Sequence, residues 1–303
     1  MYQIKRLLVG LDLSAMDEKL ISYTSTLCQL FQVEAVYFIH VAKSLDLPKR
    51  LVEKYPDLMA PVDEAIEKSI QENISKLFTA NCEYRISVYE GNMEDRILRL
   101  ADQKEIDLLV LGRKKHLKGD GVLPGRLAKT IHCSVLMVPE NVTEKIEKVM
   151  VPVDFSKTSS MALEQALHIK EITGAQIILQ NTYDVPSGYH TSGKSYEEFA
   201  EIMKSNAYED AVEFLQDSSL KATDVEIQLS LEGEEGPAEL AYHQAKQSDA
   251  DLIIIGSRGR SELASLLLGS VADKMIHYDA DIPLLVVKDK KENLSFLQAL
   301  LRL

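Results

Sequence analysis

The sequence predicts an α/β protein made of two tandem domains with the same fold, each a parallel sheet covered by helices on both faces. The chain has 303 residues, 46% of them hydrophobic, which is enough for two packed cores. Residues 5–14 recur 142 positions later as residues 147–156, and a repeat with this period is a whole domain. Short runs of valine, isoleucine and leucine alternate with helical segments, which is typical of buried parallel strands.

The strands of the second half are the clearest, because each is a nearly continuous apolar run. They are predicted near residues 148–153, 175–180, 225–231, 251–256 and 283–287. Ser156, followed by Ser159 and Ser160, is a typical helix start, and Gly174 is a typical helix stop. We therefore predict a helix over residues 157–172, directly after the first strand of this half.

The first half follows the same order of elements. Its residues 106–112 are echoed by residues 250–256, and its residues 134–138 by residues 283–287. Ser14, followed three residues later by Asp17, resembles a capping box. This pattern predicts the first helix of the first half, in the place that matches the helix after Ser156.

Domain boundaries follow from the repeat. We predict a first domain over residues 1–141, a second over residues 147–290, and an apolar C-terminal tail over residues 291–303. The tail either docks on the protein's own surface or forms a helix that binds a partner or makes a dimer with a second chain. The longest irregular segments, residues 44–61 and 184–195, follow the second strand of each half.

Composition excludes several functional classes. A formal net charge of -13 opposes binding to nucleic acids and anionic membranes, and no run approaches the ~18 apolar residues of a membrane helix. The three cysteines are scattered, which indicates reduced thiols that fill the core of a cytoplasmic protein. The seven histidines lack the spacing of metal ligands, so we predict no metal site.

The strongest functional signal is a glycine pattern directly behind the apolar run of residues 252–255. Gly256 and Gly259 are followed after nine residues by Gly269 and Ser270. Glycines allow the backbone to approach a phosphate closely, and a helix that begins after Gly269 presents its amides and its dipole to negative charge. The pattern therefore indicates a nucleotide site.

The loop between these glycines differs from that of efficient nucleotide hydrolases. It lacks the Lys-Ser/Thr ending of a P-loop, and no Gly-x-Ser-x-Gly elbow or catalytic triad is present in the sequence. Arg258 and Arg260 either neutralise phosphate charge or solvate the loop. We therefore expect a protein that is not an enzyme.

The second half resembles the universal stress protein family. Nucleotide-binding members of that family share a glycine, two residues, a glycine, nine residues, a glycine and then serine or threonine. Gly256, Gly259, Gly269 and Ser270 match this pattern, and the resemblance extends over both halves. It implies an open, doubly wound five-stranded parallel sheet of order 3-2-1-4-5 in each domain. It also implies ATP, with or without Mg²⁺, as the ligand, and at most slow hydrolysis of that ATP.

The resemblance extends to individual contacts in the second half. Asp154, after the first strand, is expected to contact the ribose or base side of the nucleotide. Thr182, with its neighbours Asn181 and Tyr183, is expected to line the adenine pocket mainly through the backbone. Val271 completes the predicted site behind Ser270.

The first half departs from the glycine pattern. Lys115 stands at the second glycine position, and Gly125 or Gly121 takes the third position, depending on whether the count runs forward from Gly112 or back from the next strand. Asp12, His40 and Val41 still stand where the family's base and ribose contacts lie. The vestigial site then comprises Asp12, Val41, Gly112, Lys115, Gly121 and Gly125. The first-half site is either lost or altered to take another anion, so we expect one working ATP site per chain, in the second half.

Three functions are compatible with these features. The leading one is an ATP-binding regulator of the stress response, in which occupancy sets a conformation recognised by an unidentified regulatory protein. The alternative is a scaffold whose crevices bind other ligands or no nucleotide, and the third is an adenylating or nucleotide-hydrolysing enzyme. The chain is expected to be a pseudo-dimeric monomer, whose halves cover each other's last strands, or a homodimer.

Overall fold

The computed structural model describes residues 3–46, 62–114, 122–218, 220–259, 268–278 and 281–293. The chain divides into two compact units. The first unit holds residues 3–127 and 135–144, and the second unit holds residues 128–134 and the chain from residue 145 onward. Most of the irregular segment expected at residues 44–61, and the tail from residue 294, lie outside the described residues.

The first half of the chain alternates strands and helices as the sequence predicts. Its strands are β1 (Arg6–Leu11), β2 (Ala35–Ala42), β3 (Glu83–Glu90), β4 (Leu108–Arg113) and β5 (Ser134–Pro139). Its helices are α1 (Met16–Phe31), α2 (Val62–Leu77), α3 (Met93–Gln103) and α4 (Val122–Thr130). The strand order is β3-β2-β1-β4-β5, and the pairings of β1 with β2 and β4 and of β2 with β3 are parallel.

The second half repeats this order. Its strands are β6 (Lys148–Pro152), β7 (Gln176–Tyr183), β8 (Glu226–Leu231), β9 (Leu252–Gly256) and β10 (Leu284–Val287). Its helices are α5 (Lys157–Thr173), α6 (Tyr196–Asp217), α7 (Pro237–Gln247) and α8 (Ser270–His277), with a 3₁₀ turn over Ser187–Ser192. The strand order β8-β7-β6-β9-β10 is again 3-2-1-4-5, with parallel pairings throughout.

This strand order confirms the predicted fold class. The chain moves outward in one direction from the first strand of each half and then returns to the other side of that strand. Because crossovers between parallel strands are right-handed, the two directions place their helices on opposite faces of the sheet. The central strands β1 and β6 are therefore covered on both sides, and Leu7, Leu8, Val149 and Met150 are fully buried.

An aspartate latches the amino ends of the two central strands in each half. Asp107 Oδ2 accepts hydrogen bonds from the amides of Lys5 and Arg6, both at 2.9 Å. Asp251 Oδ2 accepts hydrogen bonds from the amides of Glu147 and Lys148, at 2.8 and 2.9 Å. This carboxylate latch satisfies backbone donors at the start of the first strand, where the ladder has no partner for them.

Helix α5 begins and ends where the sequence predicts. The Ser156 side chain accepts a hydrogen bond from the Ser159 amide, and Gly174 ends the helix in the left-handed region at φ 76°. Helix α1 differs, because its N-cap is Ala15 without a side-chain cap. The predicted capping box between Ser14 and Asp17 is therefore wrong; the Asp17 carboxylate instead accepts hydrogen bonds from amides that precede Ser14.

Replacing Ser156 with alanine is expected to lower the free energy of unfolding of the second unit by about 1–2 kcal/mol. The Ser159 amide loses its acceptor, and the Arg258 carbonyl loses a hydroxyl donor at 3.2 Å. Urea unfolding measures the change. Ser160→Ala is the matched control, because that hydroxyl bonds the Ser156 carbonyl within the helix, and a change within about 0.5 kcal/mol is expected. Equal losses in the two variants would contradict the capping role.

The segment after β7 is more ordered than the sequence suggests. Residues 184–195 contain the 3₁₀ turn, and Ser195 and Glu198 form a capping box that begins α6. Among the helices of the described part of the chain, none is both long enough and apolar enough to cross a membrane.

Candidate ligand-binding site

A crevice of about 310 Å³ opens at the carboxyl ends of β6, β7 and β9. It lies beside the junction of β6 and β9, where the strand order reverses and ligands of doubly wound sheets bind. Its volume falls at the lower end of the range of small-molecule pockets, ~300–1,000 Å³. The lining residues come from the ends of three strands, the first turn of α5, the start of α7, the glycine loop and the first turn of α8. They include all eight residues predicted for the second-half site: Asp154, Thr182, Gly256, Arg258, Gly259, Gly269, Ser270 and Val271.

Gly256 lets the end of β9 pack directly on the first turn of α5. A Cβ atom at this position would lie 2.6 Å from both the carbonyl carbon and Oγ1 of Thr158. The same Thr158 Oγ1 donates a hydrogen bond to the Arg258 carbonyl at 2.5 Å. The strand end and the loop that follows it therefore pack directly on the first turn of the helix, and a side chain at residue 256 would force them apart.

Gly259 and Gly269 keep the loop itself narrow. A Cβ atom on Gly259 would lie 2.9 Å from Asp154 Oδ2, and one on Gly269 would lie 3.4 Å from the Arg258 Cα atom. The Gly269 amide donates a 2.8 Å hydrogen bond to the Ser257 carbonyl, which closes the loop on itself. None of the three site glycines has a positive φ. They are required here for space and not for an unusual backbone conformation.

Helix α8 begins in the crevice without a side-chain cap. Gly269 is its N-cap, and Ser270 and Val271 are its first two residues. The first amides of a helix have no partner within the helix, and the helix dipole concentrates positive potential there. This end of the crevice therefore suits an anion.

Asp154 lies at the opposite side of the glycine loop, with its carboxylate fixed by the start of α5. Its Oδ1 atom accepts hydrogen bonds from the Ser156 amide at 3.1 Å and the Ser159 hydroxyl at 2.7 Å. Phe155 turns the chain sharply, with φ 63°, and its ring contacts Phe214 edge-on at 5.5 Å between centroids. An aspartate held in this way is preorganised for hydroxyl donors of a ligand.

The end of β7 offers mainly backbone groups to the crevice. The Asn181 side-chain amide is buried and donates a 2.9 Å hydrogen bond to the Val153 carbonyl. The Thr182 hydroxyl accepts a 3.0 Å hydrogen bond from the Gln180 amide. The Asn181 side chain therefore ties β7 to the end of β6, and the Thr182 hydroxyl is bonded within β7 itself. Strand β7 runs three residues beyond the predicted end because these residues pair with β8.

Arg258 is among the residues that line the crevice, and its guanidinium pairs with Glu292. The Arg258 Nη2 and Glu292 Oε2 atoms lie 2.7 Å apart, and the arginine side chain is only 12% exposed. Lys157 joins this network through Glu292 and Asp289, at 2.5 and 2.8 Å. Hydrogen bonds from Lys157 and Arg258 lower the pKa of Glu292, which keeps it ionised. Arg260 lies outside the described residues.

The first half carries different groups at the matching positions. Lys114, which corresponds to Arg258, forms an ion pair and hydrogen bond with the Asp12 carboxylate. A Cβ atom on Gly112 would lie 2.6 Å from Cγ of Met16, which stands in the place of Thr158. Although burial opposes the shift, hydrogen bonds from Lys114 and Ser14 lower the pKa of Asp12.

Asp17 is the most consequential difference between the halves, because it stands where the second half has Ser159. Its carboxylate accepts hydrogen bonds from the amides of Asp12 and Leu13, at 3.0 and 2.8 Å. The residue is only 4% exposed, and burial raises its pKa to about 6. At neutral pH the first half therefore holds a second negative charge at the start of α1, which disfavours an anionic ligand.

The remaining first-half residues are placed as follows. Val41 is buried near the end of β2, and the His40 ring contacts the Leu11 carbonyl at 3.0 Å. Gly125 lies inside α4, at its fourth residue, and not before the helix as Gly269 does. Lys115 and Gly121 lie outside the described residues.

The second-half crevice also contains residues that the sequence did not single out for a ligand. Ser159, Gln180 and Pro237 are among its lining residues, and Glu292 holds Arg258. In the sequence, Ser159 indicated only the start of a helix and not a ligand contact. Glu292 lies 34 residues from Arg258, so no periodic pattern connects the two.

Fold and crevice together define a doubly wound α/β protein with a glycine-lined crevice at the reversal of strand order, the place where ligands of this fold class bind. The model of the Universal stress protein family matches this chain twice, over residues 3–139 and over residues 145–288. The chain therefore belongs to the universal stress protein family and carries two of its domains in tandem.

Individual relatives agree with this assignment. Universal stress protein MJ0577 of Methanocaldococcus jannaschii is 30% identical over 156 residues, which cover 48% of this chain and 96% of the relative. Universal stress protein MJ0531 of the same organism is 32% identical over 162 residues, covering 52% and 90%. A solved universal stress protein from Archaeoglobus fulgidus aligns with 95% of this chain and 99% of its own, with TM-score 0.64 and 18% identity, and so shares the fold.

Proposed function

We propose that the second-half crevice binds an adenine nucleotide, with ATP as the preferred ligand, and that the chain acts as a nucleotide-dependent regulator in the stress response. One observation carries the proposal: at Gly259 and Gly269 the loop has no side chains, and it lies between the fixed Asp154 carboxylate and the uncapped start of α8. Gly259 faces the carboxylate of Asp154, and Gly269 precedes the free end of α8. A phosphate chain suits one side and a ribose suits the other.

Different residues of the crevice contact the phosphates, the ribose and the base of the nucleotide. The first amides of α8 and the Ser270 hydroxyl bind phosphate oxygens. The Asp154 carboxylate accepts hydrogen bonds from ribose hydroxyls, and the backbone around Thr182 lines the base. A bound Mg²⁺ would offset phosphate charge, and phosphate oxygens and water are the ligands it prefers. None of these assignments requires the Arg258 guanidinium, which Glu292 holds.

The first half is proposed to bind no ATP. Asp12 is engaged by Lys114, and the buried Asp17 adds a second negative charge beside it, which disfavours an anionic ligand. The second half has the neutral Ser159 hydroxyl at the position of Asp17. The charge difference between two otherwise matching turns favours one nucleotide per chain.

The chain is also proposed to hold nucleotide without rapid turnover. Asp154 and Arg258 are the charged residues in the described lining of the crevice, and both are bound by neighbouring groups. Asp154 is the one carboxylate among these lining residues, and its proposed place is at the ribose, so no general base is left beside the phosphates to activate water. Regulation then follows from a difference in ATP affinity between two conformations.

Titration calorimetry of the full chain with ATP tests the proposal. We expect binding at about one nucleotide per chain, and an Asp154→Ala variant should lose most of the affinity while Asp12→Ala keeps it. Release of nucleotide from the purified protein, followed by mass spectrometry, gives an independent count. Two equal sites, or no binding by the folded chain, would contradict the proposal.

Glu292→Gln is expected to tighten ATP binding by about three- to tenfold and to leave adenosine binding unchanged. Without the carboxylate partner, the Arg258 guanidinium is available to the phosphate chain, and an added charge-assisted hydrogen bond accounts for a gain of this size. Glu147→Gln is the matched control, because it removes an exposed ion pair with Lys145. A variant that binds ATP like the control would show that Arg258 stays away from the ligand.

A further inference from the structure

Two thiols of the first unit lie close together outside the crevices. The Cys28 and Cys82 Sγ atoms are 3.6 Å apart, within hydrogen-bonding distance for sulfur. Cys28 belongs to α1, and Cys82 precedes β3 at the end of the α2–β3 connection. The third cysteine, Cys133, is fully buried and belongs to the other unit.

The surroundings of the pair hold the two sulfurs together. The Thr79 amide donates a 3.0 Å hydrogen bond to the Ser25 hydroxyl, one helical turn before Cys28. The Phe78 ring packs edge-on against Phe38, with 5.7 Å between centroids. The connection that carries Cys82 is thus fixed to α1 and to the sheet on the same side as the pair. Side-chain rotations that shorten the sulfur separation by about 1.5 Å reach the S–S bond length of ~2.05 Å.

Access to the pair is one-sided. Cys28 is 6% exposed, whereas Cys82 is partly exposed and lies between the exposed residues Asn81 and Glu83. An oxidant therefore reaches the Cys82 sulfur first, and the buried Cys28 sulfur lies next to it. This is the arrangement of an accessible thiol with a resolving partner.

We propose that Cys28 and Cys82 are a peroxide-oxidised dithiol that forms a reversible intramolecular disulfide in the first unit. In the first step the Cys82 sulfur attacks one oxygen of hydrogen peroxide and the O–O bond breaks. That oxygen stays on Cys82 as a sulfenic acid, and the other oxygen leaves as water. In the second step the Cys28 sulfur attacks the Cys82 sulfur, and the S–O bond breaks with loss of a second water. Two thiols lose two electrons in total, and the peroxide gains them.

The bond would give the first half a role that does not depend on nucleotide. It would join α1 to the α2–β3 connection across 54 positions of sequence, beside the existing bond between Ser25 and Thr79. Burial raises the pKa of both thiols, and for Cys82 the hydrogen bond with Cys28 opposes the rise. Oxidation is therefore slow near neutral pH and accelerates about tenfold per pH unit as the thiolate forms.

The test treats the full chain with hydrogen peroxide, blocks remaining thiols with iodoacetamide under denaturing conditions, and maps peptides by mass spectrometry. We expect a peptide that joins Cys28 to Cys82, lost on treatment with dithiothreitol, with Cys133 alkylated. Cys82→Ala and Cys28→Ala should each abolish the crosslink, while the matched variant Cys133→Ala keeps it. In Cys28→Ala, dimedone should label Cys82 as the trapped sulfenic acid. Free Cys28 and Cys82 after treatment of the wild type, or a bond to Cys133 or to a second chain, would overturn the proposal.

Discussion

Gly259→Val is expected to lower the affinity for ATP by at least ~100-fold while the second unit stays folded. A Cβ atom at this position lies 2.9 Å from Asp154 Oδ2, so the new side chain displaces the carboxylate that faces the ribose. The valine methyl groups also occupy the space through which the phosphates approach the loop backbone. Both contributions act on the ligand, because the φ of Gly259 is not positive and the substitution introduces no left-handed strain.

Calorimetry with ATP measures the loss, and the thermal unfolding of the ligand-free variant shows whether the fold survives. Gly233→Val is the matched control: a Cβ atom there meets nothing within 4 Å, and the residue lies outside the lining of the crevice. We expect the control to bind ATP as the wild type does. If Gly259→Val bound ATP with unchanged affinity, the crevice of the second half would not be the nucleotide site.

The pH dependence of stability should reveal the buried carboxylate of the first half. Burial raises the pKa of Asp17 from 3.8 to about 6, against the opposing hydrogen bonds from the Asp12 and Leu13 amides. The folded first unit therefore binds a proton more tightly than the unfolded chain does. The contribution of Asp17 to the stability of this unit is therefore fully present below pH 3.8 and is lost as the pH rises through about 6, a change of about 3 kcal/mol.

Asp17→Asn removes this titration and should flatten the stability profile between these two pH values. Urea unfolding of the first unit at several pH values gives the profile, and the difference between variant and wild type isolates Asp17 from other titrating groups. Asp63→Asn, on the exposed first turn of α2, is the matched control and should keep the wild-type slope. The assignment fails if Asp17→Asn also retains that slope.

Much of the fold could be predicted from the sequence because its determinants are local. Apolar runs of the second half mark four of its five strands to within about one residue, since buried parallel strands need nothing more than continuous apolar side chains. Ser156 and Gly174 define α5 because a cap and a left-handed stop act within one helical turn. The strand order came from the resemblance, because local patterns do not specify which strands pair.

The parts of the site made by backbone groups at a fixed spacing in sequence could be predicted. The ion pairs between residues far apart in sequence could not. The glycines and Ser270 stand in one loop and one helix start, so their spacing alone places them together. Lys114 meets Asp12 across 102 positions, and Arg258 meets Glu292 across 34. The hydrogen bonds from the Asp12 and Leu13 amides to Asp17 require a left-handed φ of 62° at Leu13. Leucine rarely adopts this conformation, so the sequence does not predict it.

The carboxylate latch has a consequence for how such a duplicated chain diversifies. Asp107 and Asp251 act at the amino ends of the central strands, whereas the crevices open at the carboxyl ends. The two halves retain the same latch although their crevice residues differ in charge, as at Asp17 and Ser159. The groups that stabilise the fold and the groups that select a ligand thus lie at opposite ends of the same strands. One copy of a duplicated domain can therefore lose or change its ligand and still keep its architecture.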